Sequence, residues 1–201
     1  IPWARAAVGG AWASVELLRI VDDKCQRLFD NCFKVVDGPD APDLTIQELD
    51  RELILYISNR KSSNNYNENY QEYDPAIVSP DSLVGSNRYD SIYRFEGYQI
   101  FQLKDETVSI ADLQDPDKAR LVAQCDIKNG ISRIINYNYS EALGANVPVE
   151  MVNGEDKGIV HSFRILEDKF ATGNTRLVNH KKYYYIAIAY AYNNYMTYSE
   201  D

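Results

Sequence analysis

The first forty residues combine an apolar pattern of helical period with a proline-rich joint. Between residues 11 and 34, apolar side chains recur at steps of three and four, which predicts an amphipathic helix. Ser14 is the expected cap of its first turn. The apolar stripe consists of Val15, Leu18, Val21, Cys25, Leu28, Phe29, Cys32 and Phe33.

A boundary follows this helix directly. Gly38, Pro39 and Pro42 lie within six residues, and they end the helix and begin a stiff, extended joint. We therefore divide the chain into two parts. Residues 1–36 are a helical segment, expected to be the end of an upstream region, and residues 37–201 are a β-rich domain.

From residue 43 onward the apolar period changes to two, which predicts strands. Residues 59–92 and 104–157 are interpreted as insertions, the first of them beginning with a long loop at 59–91. Asp115 and Pro116 predict a short helix that runs to Gln124. Residues 183–192 form the most apolar run and predict a central strand buried on both faces. The other predicted strands are 44–46, 52–58, 93–103, 131–139 and 158–167, with turns at 50–52 and 154–158.

Four segments resemble a fibronectin type III domain. Residues 38–44 resemble the proline-marked entry into strand A, and residues 52–58 resemble strand B, with Ile57 where the family usually has tryptophan. Residues 95–101, which include Gly97 and Tyr98, resemble strand C. Residues 177–190 resemble the E–F turn and strand F. The resemblance implies a mainly β fold: a fibronectin type III or immunoglobulin-like β-sandwich with long insertions and an N-terminal amphipathic helix.

The resemblance also implies a tyrosine corner, in which a buried tyrosine hydroxyl bonds to the backbone upstream. Leu177 and a tyrosine six or seven residues later would build it. Tyr184 is the preferred residue, because Ile186, Ile188 and Tyr190 would then share its inward face. Tyr183 is the alternative if no bulge intervenes.

A closer resemblance is to large secreted proteins of gliding and surface-coating bacteria that use a type IX secretion system. In these proteins a helix ending like residues 23–31 leads through a proline-rich joint into such a domain. The similarity extends over residues 115–136 and 158–195. It implies an extracellular or cell-surface location, with any targeting signal outside this sequence.

The charge and the hydrophobic pattern of the chain argue against several classes of binding partner. The net charge is −9, from 30 acidic and 21 basic side chains, which argues against nucleic acid and anionic lipid. No apolar stretch is long enough for a membrane span, so no direct membrane insertion is expected. The three cysteines, Cys25, Cys32 and Cys125, form no disulfide framework; one of the first two pairs with Cys125, or all three are buried thiols.

Few side chains form a pattern typical of a catalytic site or of a metal or cofactor site. His161 and His180 lie in no recognisable catalytic motif, and neither a zinc-ligand spacing nor a phosphate-binding loop is present. No cofactor is therefore expected. Calcium is the one candidate ion. Its candidate ligands are Asp112, Asp115 and Asp117, with a similar run of Asp37, Asp40 and Asp43 at the joint.

The loop at 64–73 is a candidate contact surface. It combines Tyr66, Tyr70 and Tyr73 with asparagines, a composition that suits binding, including stacking on surface glycans. The alternative is that the three tyrosines pack on their own domain.

These observations together predict a non-catalytic structural or adhesive module of a secreted bacterial surface protein. It would space or assemble domains of the same polypeptide or neighbouring subunits, through an open strand edge or the N-terminal helix. Two alternatives stay open. One is an accessory module of a secreted hydrolase, and the other is a carbohydrate- or polymer-binding module that uses the tyrosine loop.

Overall fold

The computed structural model describes residues 10–30, 36–79, 85, 88–140, 143–193 and 195. The described chain is mainly β, and it divides into two compact units. Described residues of the first unit lie within 10–37, 72–93 and 193–195, and those of the second within 38–71 and 94–192. The elements are α1 (Gly10–Asp30), β1 (Asp43–Leu49), β2 (Glu52–Ser58), β3 (Gln71–Tyr73), β4 (Ile92–Leu103), β5 (Ala119–Asp126), β6 (Arg133–Ser140), β7 (Ala145–Asn153), β8 (Ser162–Ile165) and β9 (Tyr184–Tyr192).

Helix α1 belongs to the first unit and confirms the predicted helix. Ser14 is not its cap: the helix begins four residues earlier, and the Ser14 Oγ donates a hydrogen bond to the Gly10 carbonyl at 3.4 Å. The side chains of Val15, Leu28 and Phe29, from the apolar stripe, are exposed. Residues 31–35, with Cys32 and Phe33, lie outside the described residues.

The first unit also contains the residues that follow β9. The Asn193 side-chain amide donates to the Asp90 carbonyl at 2.7 Å, and its oxygen accepts from the Tyr195 backbone at 2.7 Å. The Tyr195 ring meets the Tyr89 ring edge to face, with centroids 5.7 Å apart. These contacts hold the chain beyond β9 against residues 89–90.

In the second unit, β1, β2 and β8 form one antiparallel sheet in that order. Strands β1 and β2 make a hairpin whose two-residue turn, Asp50 and Arg51, has Leu49 opposite Glu52. The turn confirms the sequence prediction, and Arg51 takes a positive φ of 53° there. Strand β8 adds to the other side of β2, with Leu55 opposite Phe163.

The second sheet has β4 at its centre, with β5 along one side and β9 along the other. Eight consecutive residues of β4, 95–102, are buried. Gly97 is required by close packing, because a Cβ there would lie 2.3 Å from the Cys125 carbonyl oxygen and 2.5 Å from the Tyr190 hydroxyl. The sequence pattern predicts that β9 is the central strand. That prediction is wrong, because β4 is the central strand and β9 pairs only with β4 among the described strands.

Between β4 and β8 the structure differs from the sequence predictions in two ways: one predicted helix is absent, and one strand was not predicted. The helix from Asp115 to Gln124 is absent, because one turn at Asp115 leads directly into β5, whose backbone pairs with β4. Long-range pairing outweighs the local capping signal there. Strand β7 was not predicted, because Pro148 and polar residues interrupt its alternation. It forms a two-stranded hairpin with β6.

The long loop predicted at 59–91 is interrupted by a 3-10 turn at Tyr66–Glu68 and by β3, which pairs with β4.

The buried apolar side chains come from both sheets of the second unit. Leu55, Ile57 and Ile165 belong to the first sheet, and Tyr98, Ile100 and Ala187 belong to the second. Leu177, between β8 and β9, is also buried.

Candidate interaction edge and its surroundings

Strand β9 has one edge without a strand partner among the described residues. Its nine residues, Tyr-Tyr-Ile-Ala-Ile-Ala-Tyr-Ala-Tyr, pair with β4 from Leu103–Tyr184 to Arg94–Tyr192. No described strand pairs with the opposite side, which we call the β9 edge. In an antiparallel sheet, alternate N–H and C=O groups of an edge strand point away from its only neighbour. The β9 edge is therefore the side of this sheet at which a further strand would add.

The other sheet edges of the second unit differ from the β9 edge in charge or length. Strand β1 includes Asp43 and Glu48, strand β5 includes Arg120, and strand β8 has only four residues. Natural proteins protect edges against unwanted pairing with charges, prolines, bulges or short strands. Strand β9 contains no charged residue, proline or glycine, so it lacks the protection that composition supplies elsewhere.

Both faces of β9 are engaged in its own unit. Ile186 and Ile188 pack against the cluster of Phe101, Leu113 and Ala119. On the other face, Ala187 is 4% exposed. Packing on both faces agrees with the prediction for residues 183–192, although most of these side chains are only half-buried. The faces fix the strand in place and leave its edge as the part available for binding.

The turn before β9 is held by Tyr183 rather than by Tyr184. The Tyr183 hydroxyl accepts a hydrogen bond from the Val178 backbone N–H at 2.9 Å, five residues upstream, beside the buried Leu177. The hydrogen bond therefore joins the tyrosine hydroxyl and the backbone upstream, and the half-buried Tyr183 is the alternative residue of the sequence analysis. Tyr184, the preferred residue from the sequence, instead donates to the Glu106 carboxylate at 3.4 Å. The predicted and observed tyrosines are neighbours in the sequence, and neighbouring residues of a strand point to opposite faces. A shift of one residue in register therefore decides which of the two reaches the turn.

An open cleft of about 670 Å³ lies beside the start of β9, between the β1–β2 hairpin and residues 177–185. Asn179 joins its two walls: its side chain accepts from the Arg51 backbone at 2.8 Å and donates to Asp50 at 2.7 Å. Tyr184 and Tyr185 line the cleft and also begin β9. The first residues of β9 therefore border open space.

Two phenol hydroxyls of β9 lack hydrogen-bond partners among the described residues. Those of Tyr185 and Tyr190 are buried, and neither has a hydrogen-bond partner in the described chain. Burial raises the pKa of both phenols well above the ordinary tyrosine value. Buried hydroxyls normally find hydrogen-bond partners in folded proteins.

A network beside the turn fixes the segment between β8 and β9. Asp168 is buried and accepts from the Lys181 ammonium at 2.5 Å and from Gln102 at 2.7 Å. Burial opposes the charge on Asp168, but the hydrogen bonds from Lys181, Gln102 and the Phe170 backbone, with the charge of Lys181, outweigh burial and lower the pKa of Asp168 below its ordinary value. The network holds the start of β9 against β4.

Sequence reasoning missed a cluster of buried acidic side chains near the other end of β9. Glu96 and Asp126 are buried; Asp126 accepts from the Asp156 backbone at 3.0 Å, and Glu96 accepts from the Asn129 side chain at 3.0 and 2.9 Å. Burial, chiefly, raises the pKa of Glu96 to about 7; Asp126 and Asp156 add to the effect, and Asn129 opposes it. Nothing in the sequence around Glu96, which directly precedes Gly97, indicated that this side chain is buried, because glutamate is usually exposed.

Four of the candidate calcium ligands have carboxylates engaged in local hydrogen bonds or ion pairs. Asp112 binds the Lys118 ammonium at 2.6 Å and accepts from Ser109, whereas Asp115 accepts from the Asp117 backbone at 3.0 Å. At the joint, Asp43 pairs with Arg60 at 2.5 Å, and Asp40 accepts from the Asn64 backbone at 2.9 Å. In the described part of the chain, no three His, Cys, Asp or Glu side chains are arranged to hold a metal ion.

The cysteines and histidines lie in separate, structural settings. The buried Cys125 thiol donates to the Val160 carbonyl at 3.4 Å, and burial raises its pKa, which disfavours the reactive thiolate. Cys25 is exposed, and both cysteines are free. His161 contacts the Glu68 carboxylate at 2.6 Å, and His180 takes a positive φ of 64° in the turn before β9.

The three loop tyrosines differ in exposure. Tyr70 is buried, as expected if the loop packs on its own domain, whereas Tyr66 and Tyr73 are exposed. Tyr98, on β4, is also buried, and its hydroxyl accepts from Asn59 at 2.5 Å.

No family model, curated protein or solved structure matches this chain. The helices in the described residues include none long and apolar enough to cross a bilayer.

Proposed function

We propose that this chain is a non-catalytic structural module with a fibronectin type III-like β-sandwich, which joins neighbouring polypeptide by accepting a strand at the β9 edge. The strand order supports the fold: β1-β2-β8 and β5-β4-β9 correspond to A-B-E and C′-C-F of that family. The hydrogen bond from Val178 to Tyr183 beside Leu177 supports it further, because in that family a tyrosine at the E–F corner binds the backbone upstream.

The observation that supports the joining role most strongly is the composition of the β9 edge. An uncharged strand of nine residues, fixed on both faces and unpaired by any described strand on one side, is suited to strand addition. Backbone hydrogen bonds would supply the affinity. The cleft beside Tyr184 gives an incoming strand access to the start of β9.

The non-catalytic role is supported by the settings of the reactive side chains. A catalytic cysteine needs an accessible thiolate, whereas burial of Cys125 favours the neutral thiol. The acidic surface and the resemblance to type IX secretion cargo support an extracellular or cell-surface location, with domains of the same polypeptide or neighbouring subunits as partners. Binding of glycans by the tyrosine loop is less well supported, because Tyr70 lies in the core.

Binding of a strand peptide tests the joining role. The probe is a fluorescent peptide of alternating valine and threonine, flanked by lysines for solubility, and its control has proline at the centre. We expect the first peptide to bind and to slow amide exchange in β9, and the proline control to bind at least about tenfold more weakly, because proline removes a backbone donor. Equal binding of both peptides, or slowed exchange only outside β9, would contradict the proposal.

A further inference from the structure

The sequence contains two asparagine–glycine pairs, at 129–130 and 153–154, and both lie in the second unit. An asparagine that precedes glycine can react with its own backbone: the glycine nitrogen attacks the side-chain carbonyl carbon, which yields a cyclic succinimide and ammonia. Glycine favours this attack because it has no side chain to hinder the approach. Since the same dipeptide occurs at both places, any large difference in reactivity must come from the fold.

At the first pair, each reacting atom has a partner suited to the reaction. The nucleophile is the Gly130 backbone nitrogen, which donates to the Asp156 Oδ1 at 3.0 Å. The leaving group is the Asn129 Nδ2, which donates to both carboxyl oxygens of Glu96 at 3.0 and 2.9 Å. The Asn129 Oδ1, which gains charge during the attack, accepts from the Ile131 backbone N–H at 2.9 Å. A base, an acid and an oxyanion donor are therefore already in contact with the reacting atoms.

The turn between β5 and β6, residues 127–132, also brings the reacting atoms together. The Asn129 side chain folds back to the N–H two residues on, so its carbonyl group lies alongside the Gly130 backbone. Gly130 has a φ of 86°, and a Cβ there would meet no atom within 4 Å. Asp156 is fixed in turn, because its own N–H donates to the buried Asp126 carboxylate at 3.0 Å. The fold therefore holds nucleophile, carbonyl group and base in one place.

The surroundings of Glu96 suit the role of the acid. Its side chain is buried, and burial, chiefly, raises its pKa to about 7. Near neutral pH, a large share of Glu96 therefore carries the proton that a departing nitrogen needs. The titratable groups that influence it, or that it influences, are Asp126, Asp156 and the phenols of Tyr190 and Tyr192.

The second pair has different partners. The Gly154 nitrogen donates to the Ser132 backbone carbonyl at 2.6 Å, and a neutral carbonyl is no base for this proton. The Asn153 Nδ2 contacts Glu150 at 3.3 Å, but that carboxylate is exposed and paired with Arg133 at 2.6 Å, so it is held in its ionised form. The second pair is thus a control for the first within the same chain.

We propose that Asn129 and Gly130 form a site of self-modification, at which the turn promotes cyclisation and loss of ammonia. The Gly130 nitrogen forms a bond to the Asn129 Cγ and gives its proton to Asp156. The bond from Cγ to Nδ2 breaks, and Glu96 supplies the proton with which this nitrogen leaves as ammonia. Solvent resets both carboxyl groups, and water opens the ring to aspartate or isoaspartate at position 129.

The modification replaces a neutral amide beside Glu96 with a carboxylate. Like charges then meet where a hydrogen bond had joined the turn to β4, so the attachment of the turn is weakened. The reaction occurs once per chain and is no enzymatic turnover. It requires nothing of the β9 edge, so it stands or falls independently of the joining role.

Peptide mapping by mass spectrometry, on folded chain kept at neutral pH for several weeks, tests the proposal. Conversion to either product makes the peptide about 1 Da heavier, and chromatography separates the two products. We expect Asn129 to convert at least about tenfold faster than Asn153. In urea, where the fold is lost, both pairs should convert at similar rates. Asp156→Asn and Glu96→Gln should each slow conversion of Asn129 at least about tenfold in the folded chain and leave Asn153 unchanged.

Asn153 also controls for folding in each variant, because a loosened chain would convert faster there, and circular dichroism completes the control. Equal rates at both pairs in the folded wild-type chain overturn the proposal, as does an Asn129 that remains intact. A rate at Asn129 that neither substitution changes overturns it as well, because the base and the acid would then have no part in the reaction.

Discussion

The β1 and β9 edges lie on different sheets of the same unit, and they differ in how they meet solvent. Strand β1 starts with Asp43, whose carboxylate accepts hydrogen bonds from Nε and Nη2 of Arg60 at 2.6 and 2.5 Å. Strand β9 has no charge along its length. A charged edge resists pairing with another chain, whereas an uncharged edge invites it. The difference teaches that two edges of one unit can differ in composition, and composition decides how strongly an edge is protected against pairing.

The largest expected effect comes from Gly97, at the centre of the second sheet. Gly97→Ala would force a Cβ against the Cys125 backbone carbonyl of β5 and the Tyr190 ring of β9, so β4 must move away from β5 and the Tyr190 ring must shift. We expect the free energy of unfolding to fall by about 3 kcal/mol or more, measured by urea denaturation. Gly38→Ala is the matched control, because no atom lies within 4 Å of its added Cβ. Equal effects of the two substitutions would contradict the close packing around Gly97.

The second-largest effect is expected for Glu96, whose carboxyl group is buried on the central strand β4 rather than exposed on an edge strand. Its folded pKa of about 7 exceeds the ordinary value of 4.5, so the folded state binds the extra proton between these pH values. The Glu96 contribution is therefore most stabilising below about pH 4.5, is lost as pH rises towards 7, and stays constant above that.

Glu96→Gln should remove this dependence. We expect the variant to gain about 1 to 3 kcal/mol over the wild type between acidic and mildly alkaline pH, measured as the difference between their denaturation curves. The comparison of two chains cancels the titration of all other groups. A difference that stays constant with pH would show that Glu96 ionises normally in the folded chain.

The third effect distinguishes the two neighbouring tyrosines that begin β9. Tyr183→Phe removes the hydroxyl that binds the Val178 N–H, and should cost about 1 kcal/mol of stability. Tyr184→Phe is its matched control and should leave the thermal midpoint unchanged, because its contact with Glu106 is long and exposed. The reverse order of effects would assign the corner to Tyr184.

The smallest effect is expected at the protected edge. The hydrogen bond from Arg60 lowers the pKa of Asp43, but the pair is exposed and screened by solvent. Asp43→Asn should therefore leave thermal stability within experimental error, and it should not change the association state, because Glu48 still protects β1. New association of this variant through β1 would show that Asp43 alone guards that edge.

The strands with regular alternation and clear turn residues were predictable from the sequence. Strand β2 has the predicted bounds, and the turn at Asp50 and Arg51 is where local signals placed it. The apolar run of β9 was also visible in the sequence.

The errors have a common physical origin in long-range contacts. Asp115 has a sound local capping signal, yet the residues after it pair with β4 as a strand. The register of the tyrosine corner depends on which face of β9 meets the turn, and adjacent tyrosines give no local clue. Glu96 is buried only because β4 is the central strand, and Asn129, its hydrogen-bond partner, lies 33 residues away.

Residue-resolved hydrogen exchange of β9, followed by NMR in dilute solution, examines the open edge itself. We expect alternate amides of residues 184–192, those that point away from β4, to exchange much faster than the amides of β4, and to slow when the peptide of alternating valine and threonine is added. If every β9 amide is as protected as those of β4 without the peptide, the edge is already paired and the joining role is wrong.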